Sequence, residues 1–402
     1  MLHQAPAGAR DWLPVEVRQK RWLSQNLETV FSQWGYQQII TSTLEWVDTL
    51  TAGGAIEPAT VIQVQDGADE PLGLRPEFTA SIARATVTRM QGKSLPQRLF
   101  YNGNVFRSPE GHHGEQIESY QAGVELIGAT GEFADSEIIL LLRDCLEKLG
   151  LENWHLLLGE AGLTRSLLEP FPQQLRAKVR YCIAHLDRVS LENLPLSEPL
   201  KQRALTLFDL RGTPENVLAK VSELELDETG RIIVQKLRSL LELLSQTTAF
   251  SLTLDLSLLQ TIDYYTGIIF EVVAQTDRET CIIGQGGRYD QLLGLYHPQG
   301  ENLPGIGFAL NLDTLQTCLL RQKKLPEQKP VSSWLIVPQT PQAQIAALNY
   351  AQDLRKKDPS LSVELALKQA TPEEMKNYAQ NKGIQQIAWL TPEGSVTVEE
   401  LR

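Results

Sequence analysis

Between Val15 and Trp34 the bulky residues Trp22, Leu23, Leu27, Val30, Phe31 and Trp34 recur at three- and four-residue intervals. That is the period of a helix with one apolar face, and Gly35 is placed to stop it. A strand-like pattern takes over in Gln38 to Leu44, Arg98 to Arg107 and Ser119 to Gly128. The last two runs flank a polar loop and predict a long antiparallel hairpin. Helical spacing returns from Asp135 to Leu149, and Trp154 to Leu158 reads as a strand. From about residue 163 to 248 nearly every position follows the helical period, with breaks at Pro195 to Pro199 and Arg211 to Pro214. Strand patterns resume at Ser251 to Leu256, Ile262 to Ala274 and Cys281 to Gly284, and a helix is expected after Pro304, ending near Gln322.

Arg321 to Pro330 carries two prolines and four basic residues, which predicts an exposed linker. Beyond it, short apolar strands (Trp334 to Val337, Ser362 to Leu365, Gln386 to Trp389) alternate with helices around Ala343 to Lys357 and Pro372 to Asn381. That is a small α/β unit. The expected division is a core of residues 1–325, with a helical insertion at about 163–248, and a second unit of residues 331–402.

A chain of 402 residues has room for two or three domains, and 42% apolar with 21% charged residues is an ordinary globular balance. The net charge of −12 argues moderately against a nucleic-acid partner, which usually leaves a basic footprint. Cys145, Cys182, Cys281 and Cys318 are scattered without a C-x-x-C pair. Neither a zinc site nor a disulfide framework is expected from them, and buried thiols in a reducing compartment are the simplest reading. No metal and no cofactor are expected. The first ten residues lack a basic segment followed by an apolar run, and no apolar stretch approaches bilayer length. A cytoplasmic protein without a membrane partner is the expectation.

Candidate chemistry lies in the second hairpin strand. With a period of two, Gln121, Gly123 and Glu125 share one face while Ala122, Val124 and Leu126 pack behind it. An amide, a bare glycine and a carboxylate in a row leave room for a ligand and can accept its N–H donors. A solvated sheet face is an equal alternative on these residues alone. Asp263, Tyr265 and Gly267 alternate in the same way, and a tyrosine hydroxyl beside a carboxylate can clamp an imidazole; paired strand tyrosines also serve as core packing. Glu77 and Thr79, in the run Leu74 to Ala80 before a helical stretch to Met90, are explained by helix capping first. Gly284 to Asp290 is glycine-rich but lacks the phosphate-loop pattern.

Taken together, residues from about 5 to 320 resemble the catalytic core of class II histidyl-tRNA synthetases. Leu259 to Gly267 resembles that family's histidine signature, Leu-Val-Arg-Gly-Leu-Asp-Tyr-Tyr-Thr-Gly. The hairpin from Val105-Phe106-Arg107 through Gly123-Val124-Glu125 resembles its second class motif, Gln285 to Asp290 its second histidine motif, and Pro304 to Leu310 the start of its third class motif. The resemblance implies an α+β fold, an antiparallel six-stranded-type sheet with helices, a helical insertion and a small C-terminal α/β domain like a shortened anticodon-binding domain. It also implies a homodimer through the first-motif region. By resemblance Glu77, Thr79 and Gln121 would hold the histidine α-amino group, Glu125 and Tyr265 would read the imidazole, and Arg107 would lie near the carboxylate. Tyr264 and Tyr289 complete the expected histidine-binding set.

The departures point away from catalysis. The signature arginine is Gln260, the third-motif arginine position is Thr314, and the first-motif proline is Ser42. The loop from Ser108 to Glu118, which includes Pro109 and Glu115, contains no Lys or Arg. Adenylate formation needs cations around the α-phosphate, and losing one preorganised stabiliser costs roughly 3–4 kcal/mol. No catalytic residue is therefore expected. This combination is similar to the ATP phosphoribosyltransferase regulatory subunits, synthetase paralogues of histidine biosynthesis that pair with a short-form catalytic subunit. That resemblance implies L-histidine as ligand, feedback regulation, a hetero-oligomer with the catalytic subunit, and no tRNA. An active histidyl-tRNA synthetase and a ligand-free interaction module are the alternatives.

Overall fold

A computed structural model of the chain describes residues 5–54, 56–64, 70–108, 116–247, 251–258, 265–276, 279–326 and 331–401. The first amphipathic stretch forms α1 (Pro14–Gln33), with Leu23, Leu27, Val30 and Phe31 buried. Gly35 ends it at φ +81°, a left-handed turn open to a residue without a Cβ.

The strand expected from Gln38 to Leu44 is instead two short ones, β1 (Gln37–Gln38) and β2 (Leu44–Trp46), in different sheets. The ladder breaks because its acceptors are used elsewhere. The carbonyls of Thr41 and Ser42 accept from Arg75 Nη1 at 3.0 and 3.3 Å, and that of Thr43 accepts from the Arg75 backbone N–H at 3.0 Å. After α2 (Val47–Thr51), strands β3 (Gln63–Val64) and β4 (Leu72–Leu74) join β2 in a three-stranded sheet ordered β2-β4-β3.

Next come α3 (Thr79–Arg89) and the predicted hairpin, β5 (Gln97–Phe106) with β6 (Glu118–Ile127), paired from Gln97 opposite Ile127 to Phe106 opposite Glu118. Helix α4 (Glu132–Lys148) leads to β7 (Trp154–Glu160). The helical stretch contains α5 (Ala161–Leu168), α6 (Gln173–Ala184), α7 (Arg188–Glu192), α8 (Glu198–Phe208), the short β8 (Arg211–Gly212), α9 (Pro214–Ser222) and α10 (Glu228–Thr247). Then follow β9 (Leu252–Asp255), β10 (Ile268–Gln275), β11 (Thr280–Arg288) and α11 (Leu292–Tyr296).

Two expectations need correction here. Residues after Pro304 form a strand, β12 (Gly305–Asn311), and the helix α12 (Leu312–Arg321) starts only behind it. Ile306, Phe308 and Leu310 alternate with Gly305, Gly307 and Ala309, which is the period of two. Asn311 then caps α12, its side chain accepting from the N–H groups of Asp313 and Thr314. Likewise β11 continues through the glycine-rich Gly284–Arg288 run, past its expected end at Gly284.

The main sheet has nine strands ordered β1-β5-β6-β12-β11-β10-β7-β9-β8, and each neighbouring pair among the six from β5 to β7 in that order is antiparallel. One face carries Phe100, Val124, Phe308, Leu310, Phe270 and Val272 into a core shared with α1, α4 and α12. Truncating a side chain there, such as Leu27, costs roughly 2–5 kcal/mol. The opposite face is built differently and carries the candidate site residues Gln121, Gly123 and Glu125. The fold is α+β, of the class II synthetase type.

By internal contacts the chain divides into residues 1–11 with 19–325, and residues 12–18 with 326–402. The smaller unit contains β13 (Trp334–Pro338), α13 (Gln344–Lys357), β14 (Val363–Leu365), α14 (Pro372–Lys382), β15 (Gln386–Leu390) and β16 (Val396–Glu400). Its sheet is ordered β14-β13-β15-β16, parallel except for the last pair. Thr371 and Glu374 form a reciprocal capping box at the start of α14, and Gly383 closes the helix in the left-handed region.

Candidate functional site

Cross-strand partners share a face, so the register fixes what lies beside Glu125. Gln121, Gly123 and Glu125 of β6 are opposite Gly103, Tyr101 and Leu99 of β5, and opposite Asn311, Ala309 and Gly307 of β12. Gly307 is opposite Gly287 of β11. The result is a floor of glycines. A Cβ at Gly123 would come within 2.1 Å of the Phe308 carbonyl oxygen and 2.5 Å of the Tyr101 hydroxyl. At Gly307 it would lie 2.0 Å from Glu125 Oε2, and at Gly287 2.8 Å from the Tyr265 ring. The missing Cβ atoms let Tyr101, Glu125 and Tyr265 lie close against the sheet.

Glu125 is only 1% exposed. Its Oε1 accepts from the Thr79 hydroxyl at 2.7 Å and its Oε2 from the Tyr289 hydroxyl. Burial pushes its pKa up to about 8; the Tyr289 and Thr79 hydrogen bonds pull it down, and the nearby Glu77 carboxylate raises it further. This environment favours the protonated form of the carboxyl at neutral pH. Tyr101 is also buried, and its hydroxyl is driven well above the ordinary phenol range by burial first, then by Glu125, Glu77 and Tyr265.

The other expected residues fall as follows. Both oxygens of Glu77 are engaged at the start of α3, accepting from the Thr79 and Ala80 N–H groups at 2.8 Å each. Glu77 is thus a helix cap, as local chemistry suggested, whereas the Thr79 hydroxyl turns to Glu125. Gln121 is half-buried beside Gly103, and its buried Oε1 has no hydrogen-bond partner among the described residues. Arg107 is exposed, its Nε donating to the Pro76 carbonyl at 3.1 Å. Tyr265 is buried but precedes β10, and its carbonyl accepts from Arg165 Nη1 at 3.1 Å. Ser42 contributes its carbonyl to Arg75, and Thr314 lies in the capped first turn of α12. Tyr264, Gln260, Pro109 and Glu115 lie outside the described residues.

In the run Arg288-Tyr289-Asp290 only Tyr289 reaches Glu125. Arg288 is buried and donates to Asp135 Oδ1 from Nε at 2.8 Å and Nη2 at 2.5 Å, and from Nη1 to Asp290 Oδ1 at 3.0 Å. It pins the end of β11 to α4. Pattern reading missed Tyr101, Phe78 and Arg75. The alternation Leu99, Tyr101, Gly103 across the hairpin from Glu125 carried the signal for the first. Among the described residues no group of His, Cys, Asp and Glu could hold a metal, and no helix is long and apolar enough to cross a membrane.

The histidyl-tRNA synthetase family model matches residues 8–315. A crystal structure described as an ATP phosphoribosyltransferase regulatory subunit/histidyl-tRNA synthetase, from Bacillus halodurans, is 26% identical with a TM-score of 0.82, covering 97% of this chain and 99% of that one. The histidyl-tRNA synthetase of Nostoc sp. PCC 7120 shares the fold, with a TM-score of 0.79 over 99% of this chain and 97% of its own, at 17% identity. The chain is thus a histidyl-tRNA-synthetase-like protein. A much closer relative, also from Nostoc sp. PCC 7120, is 55% identical over 402 residues, 100% of both chains, and is named ATP phosphoribosyltransferase regulatory subunit. The chain belongs to the family of ATP phosphoribosyltransferase regulatory subunits, and as such is a regulatory subunit of an enzyme complex.

Proposed function

We propose that the chain binds L-histidine on the Glu125 floor, forms no aminoacyl-adenylate, charges no tRNA, and relays occupancy to a short-form catalytic ATP phosphoribosyltransferase subunit. The setting is the first step of L-histidine biosynthesis in the cytoplasm, with histidine as feedback inhibitor. The observation that carries this is the buried Glu125 carboxyl, braced by Thr79 and Tyr289 over Gly123 and Gly307. Histidine brings a cationic ammonium and ring N–H donors, and such a carboxyl ionises and accepts from them. Gln121 Oε1, buried and without a partner among the described residues, is a second acceptor for the same ligand.

Cations that activation would draw on are replaced in the sequence. Gln260 and Thr314 are neutral where the synthetases carry arginine, and the 108–118 loop has no Lys or Arg. The occurrence of a synthetase and a separate regulatory subunit in Nostoc sp. PCC 7120 supports the same division of labour. Residues 331–402, the domain we read as a shortened anticodon-binding remnant, carry seven Lys/Arg against eight Asp/Glu, a poor surface for tRNA. Self-association fits β1, an edge strand of the main sheet followed by Ile40, 85% exposed, and by the exposed Leu44 and Trp46. That edge is the proposed homodimer seam.

The test is to mix the purified chain with a short-form transferase. Catalysis and histidine inhibition should both depend on this chain, and histidine-dependent ATP–pyrophosphate exchange should be absent. Exchange at a synthetase-like rate, or inhibition without the chain, refutes the proposal.

A further inference from the structure

Arg75 is 6% exposed, yet among the described residues no carboxylate pairs with it. Its side-chain hydrogen bonds run to carbonyls: Nε to Asn104 at 3.0 Å, Nη1 to Thr41 at 3.0 Å and to Ser42 at 3.3 Å. Its own backbone bonds to the same two regions, donating to the Thr43 carbonyl and accepting from the Phe106 N–H, each at 3.0 Å. Burying a guanidinium without a counter-ion is costly, and burial draws its pKa down. A side chain kept at that cost in this position, touching residues 41–42, 78 and 103–104, calls for a role beyond filling space.

The guanidinium also lies over the Phe78 ring, 3.9 Å from its centroid, and against Gly103, where a Cβ would be 3.0 Å from Nη2. Phe78 in turn stacks on Tyr101, with centroids 4.3 Å apart and planes 20° from parallel. Tyr101 rests on Gly123, in the floor beside Glu125. One side of Arg75 therefore holds the carbonyls of residues 41 and 42, next to the exposed Ile40, Leu44 and Trp46. The other side supports the aromatic pair that borders the pocket. The planar, five-donor fork lets one side chain reach carbonyls on two segments while its face lies on a ring, a geometry that a single ammonium nitrogen reproduces poorly.

We infer that Arg75 is a positioning residue that couples occupancy of the Glu125 pocket to the packing of residues 40–46, and through them to association with a second copy of this chain. The inference rests on the proposed histidine site and homodimer seam, and adds the connection between them. Because linkage is reciprocal and each dimer carries two such sites, saturating histidine must then shift the dimer dissociation constant by the square of the factor by which dimerisation shifts per-site histidine affinity.

The experiment is sedimentation of the full chain across its dimer dissociation range, with and without saturating L-histidine, alongside calorimetric histidine titration. Wild-type dimerisation should shift at least about fivefold with histidine. Arg75→Lys should still bind histidine, but the shift should fall to within about twofold. Phe78→Leu leaves the Arg75 carbonyl bonds in place and removes the aromatic stack; it should lose the shift too, which covers the case of a poorly folded lysine variant. An unchanged ratio in either folded variant overturns the inference, as does wild-type histidine binding with no shift in dimerisation. No histidine binding by wild type removes the functional proposal and this inference with it, whereas binding without linkage removes only the inference.

Discussion

The Thr79 hydroxyl donates to Glu125 Oε1 at 2.7 Å, joining the first turn of α3 to the latter part of β6. Together with Tyr289 it satisfies both oxygens of a carboxyl that water cannot reach. Thr79→Val and Tyr289→Phe should each leave one oxygen without its donor, at a cost of roughly 1–3 kcal/mol in urea unfolding. Because both act on one group, the double variant should depart from additivity. Strict additivity would mean that the two hydroxyls do not share Glu125.

Stability should also depend on pH through Glu125. Its folded-state pKa, about 8, is above the ordinary 4.5, so its proton stabilises the fold fully below the ordinary value. That contribution is lost as pH rises to and through 8. Glu125→Gln removes the dependence. Between pH 4.5 and 8.5 wild type should lose on the order of a few kcal/mol relative to the variant. Parallel stability–pH curves would contradict this.

Ligand affinity should carry the opposite signature. A cationic ligand lowers the Glu125 pKa, so binding near pH 7 releases a proton. Histidine affinity should therefore rise from pH 6 towards 8, by up to about tenfold per unit. Titration heats should vary with the ionisation enthalpy of the buffer. A flat affinity profile with buffer-independent heats would show that Glu125 does not ionise on binding.

Arg288 and Asp135 make a structural pair rather than a ligand contact. Arg288→Met leaves a buried carboxylate alone and should destabilise the chain by roughly 3–5 kcal/mol in chemical denaturation. A loss below about 1 kcal/mol would show that the pair is not carrying that end of β11.

How much of this was legible beforehand differs by residue. The shared face of Gln121, Gly123 and Glu125 followed from the strand period alone, and the register bears it out. The α+β fold followed from the order of resembling motifs. The role of Thr79 did not, because Glu77 and Thr79 offer the same local capping chemistry and only the distant Glu125 separates them. The broken strand after Gln38 was equally hidden, since its carbonyls go to Arg75, more than thirty residues away. The strand at Gly305–Asn311 was concealed differently: its two glycines and an alanine occupy the pocket face, which weakens the alternation of apolar against polar.

The most direct measurement is histidine inhibition of the transferase reconstituted with this chain, comparing wild type with Glu125→Gln. With each complex scaled to its own uninhibited rate, wild type should be inhibited and the variant should need at least about tenfold more histidine, a change equivalent to about 1.4 kcal/mol. Identical inhibition curves would place the sensor elsewhere and contradict the proposed pocket.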